Sequence, residues 1–128
     1  MKIKPEKAQA IMALPGPKRY SHFIKVSADQ RRVWGLFNDG WALYRVGDGK
    51  AAFPVWPAKE YALACATTKW KDFTPREIDL DTFLTVLLPK LRESRDSLTV
   101  FPTPDQKGVL PELETLERDL NDELGRVE

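Results

Sequence analysis

The chain has 128 residues, 42% hydrophobic and 30% charged, with a net charge of +1. That length closes a hydrophobic core without metal or disulfide support, and the composition is that of a globular chain, not a disordered one. The near-zero net charge gives no sign of a nucleic-acid binder or a membrane-surface protein.

No apolar run reaches the roughly 18 residues of a membrane span. No apolar stretch follows the first lysines as it would in a secretory signal. Cys65 is the only cysteine and has no internal disulfide partner. Together these predict a single cytoplasmic domain over residues 1–128. Charge is unevenly spread. Residues 1–32 hold eight Lys/Arg against two Asp/Glu, and residues 105–128 hold three against eight. Either a basic face receives an acidic partner, or the basic and acidic segments lie together and neutralise each other or are simply solvated.

The first predicted element is a helix over residues 5–14, with Pro5 in its first turn. The Pro15-Gly16-Pro17 sequence ends it. A second helix starts at Pro17 and places Tyr20, Phe23, Ile24 and Ala28 on one face. The period then changes. Residues 33–37, 41–46 and 51–56 read as strands, joined by turns at residues 38–40 and 47–50, where Asn, Asp and Gly tolerate positive φ. The expectation is an antiparallel three-strand meander. Pro54 cannot donate to a ladder, so the third strand is at an edge there or carries a bulge.

A helix from Pro57 to about Lys69 carries Ala58, Tyr61, Ala62, Cys65 and Ala66 on one face. Thr74 and Pro75 break the chain. The next helix has the strongest apolar stripe, formed by Leu80, Phe83, Leu84, Leu87, Leu88 and Leu91. Asp79 is its N-cap, and Ile78 and Phe83 occupy the positions of a hydrophobic staple. Pro89 kinks its last turn or ends it. Residues 98–101 form a fourth strand, and residues 102–108 an exposed loop. An acidic helix over residues 111–124 closes the chain. Its stripe of Leu113, Leu116, Leu120 and Leu124, supported by Leu110 and Val127, docks on the sheet or pairs with another chain. The fold class is therefore α+β: a small antiparallel sheet, three-strand meander plus a fourth strand, covered by helices. Phe83, Leu84, Leu87, Leu91, Trp34 and Leu43 are its predicted core.

Catalytic chemistry finds little to work with. A structural zinc site needs about four Cys/His ligands, and the chain offers only Cys65 and His22. Asp79 and Asp81 suit helix capping and the helix dipole. Cys65 lies on the inner face of a predicted helix, which suits packing. His22 sits one position round from an apolar face, as a boundary residue. The glycines and lysine at 47–50 lack phosphate-loop spacing. No catalytic residue, metal or cofactor is expected. Four tryptophans fall between positions 34 and 70. They fill the seam between sheet and helices, or they line an aromatic groove for a ligand or a partner's anchor residue. The binding surface this marks is Trp41, Trp56, Trp70 and Tyr61, with Trp56 at a strand end between Pro54 and Pro57.

The motifs also have a characteristic order. VWGL at 33–36 is followed by GWAL at 40–43, PVWPAKEYALACA at 54–66, the helix IDLDTFLTVLLPKL at 78–91, VFPTPDQKGVL at 100–110 and a terminal acidic helix. This order resembles the bacterial family known as domain of unknown function 2750, over residues 18–125. The arrangement of Trp56, Pro57, Tyr61 and Ala62 also resembles the N-terminal domain of SseB-like proteins, which likewise place a short apolar strand before a helix. The resemblance implies a small, bacterial, cytoplasmic, single-domain protein, and brings no activity or site residue. The functional expectation is a non-enzymatic protein-interaction module, immunity-like or accessory, monomeric or homodimeric, with another protein as partner and no nucleic acid. The alternatives are a small-ligand binder with an aromatic pocket and a carboxylate-based hydrolase.

Overall fold

A computed structural model describes residues 3–47 and 49–127. Met1, Lys2, Asp48 and Glu128, and the side chains of Val46 and Val127, lie outside that description, so the expected turn over residues 47–50 is described only in part. The fold is α+β. Its order is α1 (Pro5–Met12), α2 (Gly16–Gln30), β1 (Arg32–Phe37), β2 (Tyr44–Gly47), β3 (Lys50–Val55), α3 (Lys59–Ala64), a 3-10 turn (Thr68–Trp70) and β4 (Thr74–Asp79). Then follow α4 (Leu80–Thr82), a π-helical turn (Phe83–Leu87), α5 (Leu88–Ser94), β5 (Ser97–Val100) and α6 (Leu113–Val127).

The expected meander is corrected. β1 and β2 share no ladder; the end of β1 is bridged only to Trp41, which lies ahead of β2, through Phe37. β1 pairs instead with β4, antiparallel, from Arg32 opposite Asp79 to Phe37 opposite Thr74. β4 was expected as a chain break running into a helix. Along it only Ile78 is buried, so it carries no apolar alternation to read. β3 pairs antiparallel with β2 and parallel with β5, so the fourth strand is present but runs parallel to its neighbour.

Pro54 explains how the two sheets join. Backbone groups of alternate strand residues face the same edge. The N–H and C=O of Trp56 are bonded to Trp34 at 2.8 and 2.9 Å, so the Pro54 nitrogen faces that edge as well. The ladder with β2 has already ended at Ala52. Pro54 therefore sits in the gap between two partners, where no N–H is needed.

One face of β3 and β5 supplies Phe53, Val55, Leu98 and Val100 to a core shared with Phe23, Ile24, Phe83, Leu88, Leu91, Leu116 and Leu120. Of the predicted core, Phe83 and Leu91 are buried, while Leu84, Leu87 and Trp34 are half-buried against it. Leu43 is corrected to exposed, at 46%. It precedes β2 in a segment without strand pairing, so no alternation turns it inward.

The helix expected over residues 57–69 stops at Ala64, and the 3-10 turn follows. The long apolar helix does form. Asp79 caps it, accepting from the Thr82 N–H at 3.3 Å. Pro89 neither ends nor breaks it. An α-helical Pro89 would drive its ring into the Thr85 carbonyl, and the π-helical turn just before it, with the Leu88 N–H bonded to the Phe83 carbonyl, widens the path. The acidic helix packs chiefly on α2, with Leu116 and Leu120 fully buried in the core that β3 and β5 also enter. Tyr20 donates to Asp119 at 2.6 Å, and Arg92 of α5 pairs with Glu114 and Glu117. Through α2 and α6, the basic and acidic segments lie side by side.

Candidate functional site

Helices cover one face of the β2–β3–β5 sheet. The other face, where the register sets Tyr44 opposite Ala52 and Thr99 opposite Pro54, is covered by the chain after β5. A groove of about 500 Å³ lies between this face and residues 103–110, lined by Tyr44, Arg45, Ala52, Thr99, Lys107 and Leu110 among others. A smaller hollow of about 160 Å³ adjoins it across Tyr44, Thr103 and Pro104, and reaches Lys69 and Trp70. β2 is the terminal strand of its sheet, so its outer edge pairs with no described strand.

The wall of the groove is fixed from behind by Arg19, which is only 1% exposed. Its guanidinium donates to the carbonyls of Phe101 (3.1 Å), Leu14 (2.7 Å) and Lys107 (2.8 Å) and to Gln106 Oε1 (2.9 Å). These acceptors are all uncharged, and burial pulls the Arg19 pKa down. Gln106 Nε2 also donates to the Met12 carbonyl, binding the wall to the turn between α1 and α2. Thr103 Oγ1 accepts from the Asp105 and Gln106 N–H groups, and Val100 and Val109 exchange both backbone bonds. Phe101 adopts φ +57°, a left-handed conformation costly for a bulky residue. Its N–H bond to Val55, its carbonyl bond to Arg19 and its ring contacts with Tyr61 and His22 hold it there.

Gly108 closes the wall. A Cβ there would overlap Thr99 Oγ1 and lie 2.9 Å from the Val100 carbonyl oxygen. Tyr44 stands between the two hollows. Its ring meets Trp70 at 4.6 Å, and the Lys69 ammonium lies 4.9 Å from its centroid. Burial pushes its hydroxyl up to about 12, and that hydroxyl makes no hydrogen bond with any described residue.

Three of the four aromatic residues expected at a binding surface are corrected to core. Trp56 is fully buried, Tyr61 is 2% exposed and Trp70 is 6% exposed. Trp56 turns inward because its indole N–H finds the Pro102 carbonyl at 2.8 Å, which satisfies its polar end inside the fold. Trp70 still borders the smaller hollow. Trp41 is half-buried away from the groove, packed on Phe37 and Phe53 and against the bare backbone of Gly35. Cys65 is buried against the Pro102 carbonyl, and burial pushes its thiol up to about 11. His22 contacts the rings of Tyr61 and Phe101, and burial, then Lys7 and Lys25, lower its pKa. Among the described residues, no three His, Cys, Asp or Glu side chains are placed to hold a metal ion, and no helix is long and apolar enough to cross a membrane.

Sequence reasoning missed Arg19 and Tyr44. A signal for Arg19 exists, since it lies four residues before Phe23 on the inner face of α2, where an arginine needs internal acceptors. The pinned segment is the stretch VFPTPDQKGVL. A family model described as a protein of unknown function, DUF2750, matches residues 20–120. The chain belongs to the DUF2750 family. The whole lining of the groove falls inside the matched region of this DUF2750 protein, while Arg19 lies one residue before it. No curated protein and no solved structure matches the chain.

Proposed function

We propose that this DUF2750 protein is a non-catalytic binding module whose partner is another protein, seated in the groove between β2 and residues 103–110. The groove carries the reading. It joins an apolar floor, an unpaired Tyr44 hydroxyl and the free edge of β2, the features an added peptide strand uses. Chemistry for catalysis is thin beside it. The Cys65 thiol is buried and held protonated, and His22 is packed against rings rather than a carboxylate. The lone buried cysteine fits a bacterial cytoplasmic protein.

Leu110, 63% exposed at the groove rim, gives the test. Wild type and Leu110→Lys are used as baits in a lysate of the native cell, with urea melts of both. A partner retained by wild type and lost from Leu110→Lys, with equal melts, is the expected result. Equal recovery by both baits overturns the reading. A second reading, a small apolar ligand, is favoured by the groove's volume, which falls within the range of small-molecule sites. A melting shift with a small molecule that Leu110→Lys abolishes would support it.

A further inference from the structure

Resting on that reading of the groove, we propose that the segment it takes from its partner is acidic as well as apolar: an extended stretch with an Asp or Glu carboxylate beside a hydrophobic residue.

The charge around the two hollows carries this. Arg45, Lys69 and Lys107 stand against one carboxylate, Asp105. That local excess occurs in a chain whose net charge is only +1. No described acidic side chain pairs with Arg45, Lys69 or Lys107, whereas Arg32 and Arg92 elsewhere do have carboxylate partners. Lys69 is held over the Tyr44 and Trp70 rings at 4.9 and 5.1 Å, which fixes its charge beside the smaller hollow.

The backbone adds to it. The Lys107 carbonyl is turned to Arg19. In a trans peptide the next N–H points the opposite way, so the Gly108 N–H points away from the guanidinium, within a residue that lines the groove. It donates to no described acceptor. The Tyr44 hydroxyl stays protonated and is a second free donor. Two unused donors and three cations suit a carboxylate. Ala52 and Leu110 suit the neighbouring apolar side chain. Arg19, buried behind the wall without a counter-charge, biases the site further toward anions.

A displayed library of random twelve-residue peptides tests this. It is selected on the intact protein, and the selected peptides are measured by fluorescence anisotropy. Comparison proteins are Arg45→Glu/Lys107→Glu and Leu110→Lys, each shown by urea melt to be as stable as wild type. The expected result is enrichment of Asp or Glu next to an apolar residue. Affinity should fall at least tenfold in the double variant, and also in Leu110→Lys. Selected peptides with no acidic preference that nonetheless lose binding to Leu110→Lys overturn the acidic inference and leave the groove reading standing. Peptides that bind both variants as tightly as wild type, or a selection that enriches nothing, overturn both.

Discussion

The Arg19 guanidinium holds the carbonyl of Phe101, 82 residues away in sequence, at 3.1 Å. This contact joins the first long helix to the residue where the last strand turns into the groove wall. A charged side chain buried without a counter-ion is sustained only if its donors are met, and here four hydrogen bonds engage all three of its nitrogens. Arg19→Met removes the donors, leaving the buried Phe101 carbonyl and the part-buried Leu14 and Lys107 carbonyls without them. The expected loss is about 2–4 kcal/mol by urea denaturation. Arg19→Lys should recover little of it, because an ammonium lacks the planar fork that reaches all four acceptors.

Trp56→Phe keeps an aromatic ring in the core but deletes the indole N–H bonded to Pro102. The Pro102 carbonyl then keeps only the weak Cys65 thiol contact at 3.4 Å. With the lost ring volume, the cost should be about 2–3 kcal/mol in the same measurement. Trp41→Phe, at a half-buried ring with no hydrogen bond to lose, should cost less than about 1 kcal/mol. A larger cost for Trp41 than for Trp56 would contradict the placement of both.

Much of the helical part was legible in the sequence because its signals are local. The apolar stripe from Leu80 to Leu91, the Asp79 cap and the face of Tyr20, Phe23, Ile24 and Ala28 each follow from spacing alone. The sheet was less legible. β4 reads as a break because Thr74, Arg76 and Glu77 face solvent beside Pro75. Its pairing with β1 is a long-range choice that no turn signals. The site was hardly legible at all. Tryptophan frequency pointed to Trp56 and Trp70, but their rings fill the seam. The groove is made instead by a loop whose shape depends on Arg19, a residue that sequence reads only as one more basic charge near the N-terminus.

Gly108→Ala tests that loop from its other side. The added methyl would press on the Val100 carbonyl at 2.9 Å and on Thr99 Oγ1. Val100 cannot move freely, since its N–H and carbonyl are both bonded to Val109. The loop must shift, so a cost of about 1–3 kcal/mol is expected. Binding of any groove ligand should weaken more than the melt implies, because the Gly108 N–H moves with the loop. Gly125→Ala, in α6 with open space around it, should stabilise by about 0.5–1 kcal/mol.

Stability should also depend on pH at both ends, with signs set by burial. The Cys65 thiol rises from an ordinary 9.0 to about 11 and the Tyr44 hydroxyl from 10.0 to about 12, and burial raises Tyr61 as well. A group that holds its proton more tightly when folded contributes stability that is complete below its unfolded pKa. That contribution is lost as pH rises through the folded value. Stability should therefore fall progressively from about pH 9 to pH 12. On the acid side, His22 is lowered below its ordinary 6.5 by burial first and by Lys7 and Lys25 next. The unfolded chain then binds the proton more readily, so stability should fall as pH drops below 6.5. Urea midpoints across this range should show a plateau between those limits. His22→Gln should flatten the part of the acid limb just below pH 6.5, and Cys65→Ala the alkaline limb between pH 9 and 11. A wild-type midpoint that stays constant from pH 9 to 12 would mean that Cys65 and Tyr44 titrate freely, and so that neither is buried as the fold requires.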